Sequence, residues 1–369
     1  MGDATGHAAA PLVVHVFPTF AVGGAQARFA ALANQFDRAF RHIIVSMDGN
    51  MACQARLAPG LIASFPTVPQ QKDAMLSNAL RFRRLLRTWK PDLLVTCNWG
   101  AVEFALANRL LPICRHIHVV DGFGPEEQSC QIRRRVWLRR FALAGSDVVL
   151  PSRTLVDIAT NTWKLGRKHI RYVPNGIDLS RFAAAAAAPR SADVPVIGTV
   201  AALRAEKNIA RLLRAVARMT VPARVVIVGD GAERVALTEL ASSLGLHTRV
   251  TFTGHREDTP TLYEGFDIFA LSSDTEQMPL SLMEAMASGL PVAATNVGDV
   301  RTMVADENLP LVGSLTDEAL AASLSSLAAE PALRHRLGAA NLAKARRDFD
   351  QDAMFAAWRA LWSGTAPAT

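Results

Sequence analysis

The chain has few cysteines and no long apolar run. Only four cysteines occur among 369 residues, at positions 53, 97, 114 and 130, and none forms a Cys-x-x-Cys pair. This spacing predicts neither a zinc site nor a disulfide framework, so we expect reduced thiols. No segment reaches the roughly 18 apolar residues of a membrane-spanning helix, and Met1 to Pro11 lacks the basic-then-apolar pattern of a secretory signal. We therefore expect a cytoplasmic protein.

Composition and charge indicate a globular chain with unequal halves. Half of the residues are hydrophobic and a fifth are charged, so large cores can form and a disordered polymer is excluded. Residues 1–180 contain 22 Lys and Arg against 12 Asp and Glu, whereas residues 181–369 contain 18 against 21. The net charge of +10 in the first half indicates a surface for an anionic partner, with ordinary scatter of charge as the alternative.

Short apolar runs alternate with amphipathic segments, a pattern typical of strand–helix units around a parallel sheet. One series comprises residues 12–17, 43–45, 93–95, 117–120 and 148–150, and a second comprises 196–200, 225–228, 250–252, 268–270 and 291–294. The alanine-rich stretch from Ala183 to Asp193 is predicted to be a linker between them. We therefore expect an α/β protein with domains at 1–180 and 181–349. A helix-like stretch covers Ala343 to Trp362, and its last part, about 350–369, is predicted to pack back on the first domain.

Gly23 and Gly24 follow the first predicted strand and precede a helical segment. Glycines at such a turn let backbone amides approach a ligand, and a helix N-terminus favours phosphate. The surrounding residues match neither the G-x-G-x-x-G fingerprint nor the Walker loop, which disfavours a Rossmann dehydrogenase and a P-loop NTPase. A plain tight turn is the alternative.

The segment from Ser272 to Val292 is the most informative one. Glu276 lies on a predicted loop, and Glu284 follows after seven intervening residues on a predicted helix. Helical side chains lean toward the helix N-terminus, so we expect Glu284 to share a site with Glu276. Ionised carboxylates accept hydrogen bonds, which suits a sugar and a ribose diol. Two solvated carboxylates are the alternative.

The start of this predicted helix is a candidate phosphate site. Pro279 suits the first helical position, and Gly289-Leu290-Pro291 suits the end of the helix. The free amides of Met278, Leu280 and Ser281 can hold phosphate oxygens between them, since proline has no N–H.

Glu276 to Glu284 resembles the E-x7-E element of retaining glycosyltransferases, and the continuation to Val292 resembles that of glycosyltransferase family 4. Further elements of that family occur in the expected order, namely Gly23-Gly24, Pro174 to Asp178, Leu203 to Asn208 and Val228 to Gly231. The resemblance implies the GT-B fold, in which two Rossmann-like domains with parallel sheets face each other across an interdomain cleft. It also implies a retaining reaction without a metal or other cofactor, in which a UDP- or GDP-linked sugar is the co-substrate.

The resemblance also implies roles for individual residues. Arg204 and Lys207 would neutralise the donor diphosphate as it departs. Glu284 would bind the ribose and Glu276 the hydroxyls of the transferred sugar. The remaining donor-binding candidates are Gly23, Gly24, Gly229, Asp230, Met278, Pro279, Leu280 and Ser281.

This sequence departs from the family pattern at several positions. Ala201-Ala202 stands where many members have Gly-Arg, so Arg204 is expected to replace the missing arginine. Gln277 replaces a glycine after the first glutamate, and Asp299 follows Gly298 where members have a glycine pair. Asp121 stands where many members have a histidine. We hypothesise that Asp121 hydrogen-bonds the donor sugar or the acceptor hydroxyl, with a turn cap before Gly122 as the alternative.

Two basic amphipathic segments account for much of the positive charge. One contains Arg81, Arg83, Arg84, Arg87 and Lys90, and the other contains Arg133, Arg134, Arg135, Arg139 and Arg140. Such helices can rest on an anionic membrane surface. The alternative is a packed apolar face with solvated arginines. Nucleic acid is not an expected partner, because no recognisable binding fold accompanies the charge.

These observations predict a retaining glycosyltransferase that moves a sugar from a nucleotide donor to a glycan or lipid-linked acceptor, in cell-surface polysaccharide or lipopolysaccharide assembly. It is expected in the cytoplasm or on the inner face of the cytoplasmic membrane. A nucleotide-sugar epimerase or hydrolase, or a catalytically silent nucleotide-sugar-binding member, is the alternative.

Overall fold

The computed structural model describes residues 10–71, 74–109, 111–127, 130–189, 194–256 and 258–365. The chain divides into two compact units. Unit 1 comprises Met1–Pro174 together with Met354–Thr369, and unit 2 comprises Asn175–Ala353. The domain boundary predicted at residue 180 lies a few residues beyond this division, because the segment after Pro174 already belongs to unit 2.

Unit 1 contains a seven-stranded parallel sheet in the order β3-β2-β1-β4-β5-β6-β7. Its strands are β1 Leu12–Phe17, β2 Arg41–Ser46, β3 Ala63–Ser64, β4 Leu93–Cys97, β5 Arg115–Val119, β6 Asp147–Leu150 and β7 Ile170–Tyr172. Its helices are α1 Gly24–Phe36, α2 Met75–Trp89, α3 Val102–Arg109, α4 Arg133–Leu143 and α5 Arg153–Asp157, which continues as a π-helical turn Ile158–Thr162. Branched apolar residues dominate the central strands, as expected for strands buried on both faces.

Unit 2 contains a six-stranded parallel sheet in the order β10-β9-β8-β11-β12-β13. Its helices are α6 Ala183–Ala187, α7 Ile209–Arg218, α8 Arg234–Ser243, α9 Thr259–Glu264, α10 Leu280–Ala287, α11 Val300–Met303, α12 Asp317–Ala329 and α13 Pro331–Asp348. Its strands are β8 Val196–Val200, β9 Arg224–Val228, β10 Val250–Gly254, β11 Ile268–Leu271, β12 Val292–Thr295 and β13 Val312–Gly313. The two series of apolar runs in the sequence thus form two separate parallel sheets, as predicted.

The C-terminal segment forms two helices rather than the single one predicted from Ala343 to Trp362. Helix α13 ends at Asp348, and α14 spans Gln351–Ser363. Phe349 packs in the core of unit 2, whereas Trp358 and Trp362 pack in the core of unit 1. Between the two helices, Asp350 forms an isolated parallel bridge with Ile177, and this extended pairing interrupts the helix.

The predicted linker from Ala183 to Asp193 is structured in its first part. Ala183–Ala187 forms α6, and Ala185 is fully buried in the core of unit 2 beside Phe182. Small alanine side chains let this short helix pack closely against the core. The composition of the stretch is also typical of a linker, and for that reason it was predicted to be one. Residues 190–193 lie outside the part of the chain that the structure describes.

The chain order reverses once in each sheet, between β1 and β4 in unit 1 and between β8 and β11 in unit 2. In doubly wound sheets, ligands bind in the crevice at the carboxyl ends of the strands that flank this reversal. The loops that follow β1, β4, β8 and β11 are therefore where the fold favours ligand sites.

Candidate functional site

The loops that follow β8 and β11 are joined by hydrogen bonds in unit 2. The Asp274 amide donates to the carbonyl of Glu206 over 2.8 Å, and the Ser272 hydroxyl donates to the carbonyl of Lys207 over 3.1 Å. Arg211 of α7 contacts a carboxylate oxygen of Asp274 at 2.7 Å. These bonds hold the two loops as one rigid edge at the sheet reversal.

Lys207 and Glu276 meet on this edge. The Lys207 Nζ atom lies 2.6 Å from Oε1 of Glu276, and the Ser273 hydroxyl donates to the same oxygen over 2.7 Å. The sequence assigned both residues to the donor site, and the structure brings them together. The ammonium group has three donors, so it can hold Glu276 and still reach a phosphate oxygen.

Glu284 has a different set of partners on α10. The Tyr263 hydroxyl lies 3.0 Å from Oε2 of Glu284 and 3.1 Å from the carbonyl of Ser281. Burial raises the pKa of the Glu284 carboxyl to about 7, against the opposing effects of the Tyr263 hydrogen bond and the Arg181 charge. The carboxyl group therefore changes its ionisation near neutral pH. A site shared between Glu284 and Glu276 stays a prediction.

The start of α10 differs slightly from the expectation. The helix begins at Leu280, and Pro279 has an extended backbone and occupies the position before the first helical residue. The amides of Leu280 and Ser281 consequently have no carbonyl four residues earlier within the helix. The side chain of Met278 is buried, and its sulfur lies 3.3 Å from the Asn175 amide nitrogen. The Met278 side chain therefore anchors the loop, and a role for its amide in phosphate binding stays a prediction.

Glycines let neighbouring loops approach this edge closely. Gly229 has a φ of +134°, and a Cβ there would collide with the carbonyl of Ala201. Gly298 has a φ of +51°, and a Cβ there would collide with the carbonyl of Glu276. Asp230, next to Gly229, is exposed and accepts a hydrogen bond from the Gly231 amide over 2.8 Å.

Arg204 is placed less firmly than Lys207. Its side chain is 68% exposed, and its guanidinium lies 3.9 Å from the Glu206 carboxylate. An ion pair of this length at an exposed site contributes little to stability. Arg204 is therefore free to change rotamer when an anionic ligand arrives.

In unit 1, α1 begins at Gly24, and Gly23 precedes it with an extended backbone. Asp121 follows β5 and forms a two-point ion pair with Arg28 of α1, with oxygen–nitrogen distances of 2.6 and 3.0 Å. The Asn98 side chain accepts a hydrogen bond from the Asp121 amide over 2.9 Å. Arg28 is not predictable from the sequence, because nothing in a single arginine on a helix indicates a partner 93 residues away.

His116 and His118 lie on one face of β5, as strand alternation predicts. Both rings contact the Thr96 hydroxyl, at 2.8 and 2.7 Å respectively. Burial is the main cause that lowers the pKa of each imidazole, to about 3 for His116 and well below its usual value for His118. The two rings are therefore neutral side chains on either side of the Thr96 hydroxyl.

The two basic segments form α2 and α4, and α3 packs against both. Arg83 donates to the carbonyl of Leu111 over 2.7 Å, and Arg109 donates to that of Phe141 over 3.2 Å. We call a set of exposed side chains on α2, on α4 and just after α3 the arginine-rich patch: Arg84, Arg87, Leu111, Trp137 and Phe141. The indole of Trp137 is 67% exposed and the ring of Phe141 is 50% exposed.

Not every arginine of α4 is solvated. Arg139 is buried, with its guanidinium 2.6 Å from Glu127 and about 5 Å from the ring centres of Trp99 and Trp163. Glu127 therefore ties the loop after β5 to α4.

Neither a metal cluster nor a membrane span is found in the part of the chain that the structure describes. No three His, Cys, Asp or Glu side chains there are grouped so that they could hold a metal ion. No helix among the same residues is both long and apolar enough to cross a membrane.

Two doubly wound parallel sheets, each with a loop edge at its chain reversal, define the GT-B class of fold. Two family models adjoin along the chain: Glycosyltransferase Family 4 matches residues 22–181, and Glycosyl transferases group 1 matches residues 182–343. The chain belongs to glycosyltransferase family 4. The family resemblance seen in the sequence is thereby confirmed.

Individual relatives agree with this assignment. The chain is 31% identical to the lipopolysaccharide core biosynthesis glycosyltransferase LpsE of Rhizobium meliloti over 49% of its length, which spans 54% of that relative. It is 30% identical to the 2-deoxystreptamine N-acetyl-D-glucosaminyltransferase of Streptomyces fradiae over 68% of its length and 66% of that relative. Among solved structures, Anabaena HepE in complex with UDP-glucose superposes with a TM-score of 0.76 and 19% identity over 96% of this chain and all of that one.

Proposed function

We propose that the protein transfers a sugar from a UDP- or GDP-linked donor to a hydroxyl acceptor with retention of anomeric configuration. The Lys207–Glu276 pair carries this proposal. It places a cation, which suits a diphosphate, beside a carboxylate, which accepts hydrogen bonds from sugar hydroxyls, at the ligand edge of unit 2. The UDP and UDP-glucose held by HepE, a protein of the same fold, support a nucleotide-sugar donor.

The donor would be held in three parts. Glu284 accepts hydrogen bonds from the ribose diol, the amides of Leu280 and Ser281 at the start of α10 bind diphosphate oxygens, and Glu276 accepts from hydroxyls of the sugar. Gly229 and Asp230 lie in the loop beside this edge, and the closeness of Gly229 to the Ala201 carbonyl keeps that loop compact. In unit 1, Gly23 and Gly24 offer amides at the start of α1.

Transfer would proceed on the donor-facing side of the sugar without a protein nucleophile. The bond between the anomeric carbon and the diphosphate oxygen breaks while the acceptor oxygen forms its bond to the same carbon. The acceptor proton passes to the leaving phosphate oxygen, which gives a nucleoside diphosphate and a glycoside of unchanged configuration. Lys207 and Arg204 stabilise the negative charge that accumulates on the diphosphate, so no metal ion is needed in this scheme.

A panel of UDP- and GDP-sugars tests the proposal by release of nucleoside diphosphate, with and without simple glycoside acceptors. We expect one donor to be turned over, and the anomeric configuration of the product, read by NMR, to match that of the donor. An inverted product would overturn retention. Isomerised donor would favour the epimerase alternative. Nucleotide binding without release from any donor would favour the silent alternative.

Variants separate the roles within the donor site. Lys207→Gln is expected to lower kcat by about 100-fold or more with a smaller change in KM, because its charge acts most strongly in the transition state. Arg336→Gln, which removes an exposed cation elsewhere in unit 2, is the matched control and should retain the rate. Equal rates for the two variants would remove Lys207 from the mechanism.

We also propose an anionic membrane surface as the place where a lipid-linked acceptor is met. The arginine-rich patch supports this, because α2 and α4 contain no acidic residue and expose Trp137 and Phe141 among their arginines. Aromatic rings and arginines of this kind suit the headgroup region of a bilayer.

Sedimentation with vesicles tests the membrane proposal. We expect binding to phosphatidylcholine vesicles that contain about a third phosphatidylglycerol, and loss of binding at high salt. The combined Trp137→Ser and Phe141→Ser variant should bind more weakly, whereas Arg224→Gln on unit 2 should not. Equal recovery with neutral and anionic vesicles would reject the proposal.

A further inference from the structure

Tyr263 on α9 is a fully buried tyrosine whose hydroxyl group reaches a carboxyl group of the proposed donor site. Its ring packs against Phe182, Phe266 and Phe269, with ring centres 5.8, 5.5 and 6.2 Å away. These contacts fix the ring and hence the place of its hydroxyl group. Glu284, by contrast, is only partly buried. A ligand can therefore reach the carboxyl group of Glu284 but not the tyrosine behind it.

The hydroxyl group of Tyr263 faces two acceptors at once. Its oxygen lies 3.0 Å from Oε2 of Glu284 and 3.1 Å from the carbonyl oxygen of Ser281, in the first turn of α10. A phenolic hydroxyl has one hydrogen, whereas a carbonyl oxygen and an ionised carboxylate only accept. The single hydrogen therefore cannot serve both partners fully while Glu284 is ionised.

The protonation state of Glu284 decides which partner receives this hydrogen. An ionised carboxylate is the stronger acceptor, so the hydroxyl donates to Glu284 and its contact with Ser281 weakens. A protonated carboxyl group supplies a second hydrogen, so it donates to the tyrosine oxygen and the tyrosine hydrogen turns to the Ser281 carbonyl. The two distances thus fit two hydrogen-bond arrangements that differ by one proton.

The charges around Glu284 place these two arrangements within reach of each other near neutral pH. Burial raises the pKa of Glu284 to about 7, and the Tyr263 hydrogen bond and the charge of Arg181, in the turn Leu179–Phe182, act against this rise. The pKa of the Tyr263 hydroxyl is raised well above its ordinary value, mainly by burial and then by the Glu284 charge. Tyr263 therefore keeps its hydrogen throughout this range and remains a donor.

We propose that Tyr263 is a positioning residue for the donor ribose, whose hydroxyl group holds Oε2 of Glu284 and favours the ionised carboxylate that the ribose diol binds. This inference rests on the proposed function, in which Glu284 binds the ribose. Tyr263 does not touch the donor and acts on its affinity through the carboxylate. Protonation of Glu284 turns the tyrosine hydrogen toward Ser281 and leaves a poorer acceptor for the ribose.

The hydrogen-bond arrangement can be tested without any nucleotide, because the chain contains two tyrosines, Tyr172 and Tyr263. In the Tyr172→Phe variant, the tyrosine doublet of the ultraviolet resonance Raman spectrum reports on Tyr263 alone. Its intensity ratio distinguishes a hydroxyl that only donates from one that also accepts. We expect this ratio to change with pH around a midpoint near pH 7, and to stay constant when Glu284→Gln is added. A ratio independent of pH in the Tyr172→Phe variant would overturn the proposal.

Tyr263→Phe tests the consequence for nucleotide binding. The variant loses a hydrogen bond that favours the ionised carboxylate, so the pH midpoint of the affinity for UDP or GDP should rise by about one unit. At pH 7 the Kd should consequently increase about fivefold, whereas at pH 9 it should lie within about twofold of that of the unmodified protein. Tyr172→Phe removes the other tyrosine hydroxyl of the chain and should leave the Kd unchanged at both pH values.

The pH dependence separates positioning from support of the fold. A loss of affinity in Tyr263→Phe that is equally large at pH 9, or an unchanged midpoint, would overturn the proposal. Donor turnover with an unchanged midpoint would reject the role of Tyr263 while preserving the proposed function. If the Raman ratio follows pH but neither UDP nor GDP binds, the proposed function fails, and the ribose role of Tyr263 fails with it.

Discussion

Glu284 illustrates how one buried carboxyl group links binding to pH. Its environment raises the pKa to about 7, mainly through burial, while the Tyr263 hydroxyl partly opposes this effect. In the proposed donor site Glu284 accepts hydrogen bonds from both ribose hydroxyls, which the ionised carboxylate does better than the protonated acid, so nucleotide binding favours loss of the proton.

The affinity for a nucleotide sugar should therefore increase with pH across neutrality. Between pH 6 and pH 8 we expect about a tenfold decrease in Kd for UDP-glucose or GDP-mannose, whichever binds, because one proton is released near pH 7. Titration calorimetry in buffers of different ionisation enthalpy measures both the Kd and the number of protons released on binding. Glu284→Gln should bind weakly with a flat pH profile. A flat profile for the unmodified protein would contradict the ribose assignment.

Gly298 has a left-handed backbone conformation and lies against the loop that contains Glu276 of the proposed donor site. Gly298→Ala should destabilise the protein by about 1–3 kcal/mol, because φ is positive and the new methyl group would strike the Glu276 carbonyl. Donor affinity should also fall, since the Glu276 loop must move. Gly245→Ala has similar φ strain at +70° but open space around it, so it should lower thermal stability without changing donor affinity. If Gly298→Ala and Gly245→Ala changed donor affinity equally, the contact between Gly298 and the Glu276 loop would not influence donor binding.

At the scale of elements, the long buried strands were predictable and the short edge strands were not. Runs such as Val225 to Val228 are apolar throughout because both faces of the sheet are covered. The strands β3, β7 and β13 have two or three residues and lie at sheet edges, where pairing depends on a neighbouring strand rather than on local composition.

The candidate site was predictable in its residues but not in its pairings. Glu276, Glu284 and Lys207 stand out because family motifs surround them. Arg28 and Tyr263 have no such signal, since their partners come from other elements and only the fold brings them together. Spacing along the chain cannot show which carboxylate a buried arginine or hydroxyl will meet.

Helix α14 completes the core of unit 1 through its aromatic face. Trp362 packs edge-on against Phe36 and Phe40, with ring centres 5.3 and 5.4 Å apart. Trp362→Ala should therefore cost about 3–5 kcal/mol of unfolding free energy. Urea denaturation followed by circular dichroism measures the loss. Trp137→Ala removes an exposed indole and should change stability by less than about 0.5 kcal/mol. Equal costs for the two variants would show that α14 does not support this core.

At the scale of the whole molecule, the two units differ in their response to acid. Unit 1 buries His15, His42 and His118 and partly buries His116. Burial is the main cause that lowers the pKa of each imidazole, to about 4 for His42 and about 3 for His116. The exposed histidines of unit 2, at 247, 255 and 335, have no comparable burial.

Unit 1 should consequently unfold before unit 2 as the pH falls. Below about pH 6.5 the unfolded chain binds protons that the folded unit cannot, so each histidine costs about 1.4 kcal/mol per pH unit until its folded pKa is reached. Glu284 acts in the opposite direction, because its raised pKa favours folded unit 2 in acid. Hydrogen exchange resolved by peptide between pH 7 and pH 5 measures both units. Uniform opening of both would contradict the prediction.

The return of α14 to unit 1 also sets an order of events while the chain is being made. Translation proceeds from the N-terminus, and domains fold as they emerge from the ribosome. All of unit 2 leaves the ribosome before Trp358 and Trp362 do. The core surface around Phe36, against which these two rings pack, therefore stays uncovered throughout that interval. The nascent chain therefore exposes an apolar surface on unit 1 until α14 emerges, and that surface is a binding site for a chaperone during this interval.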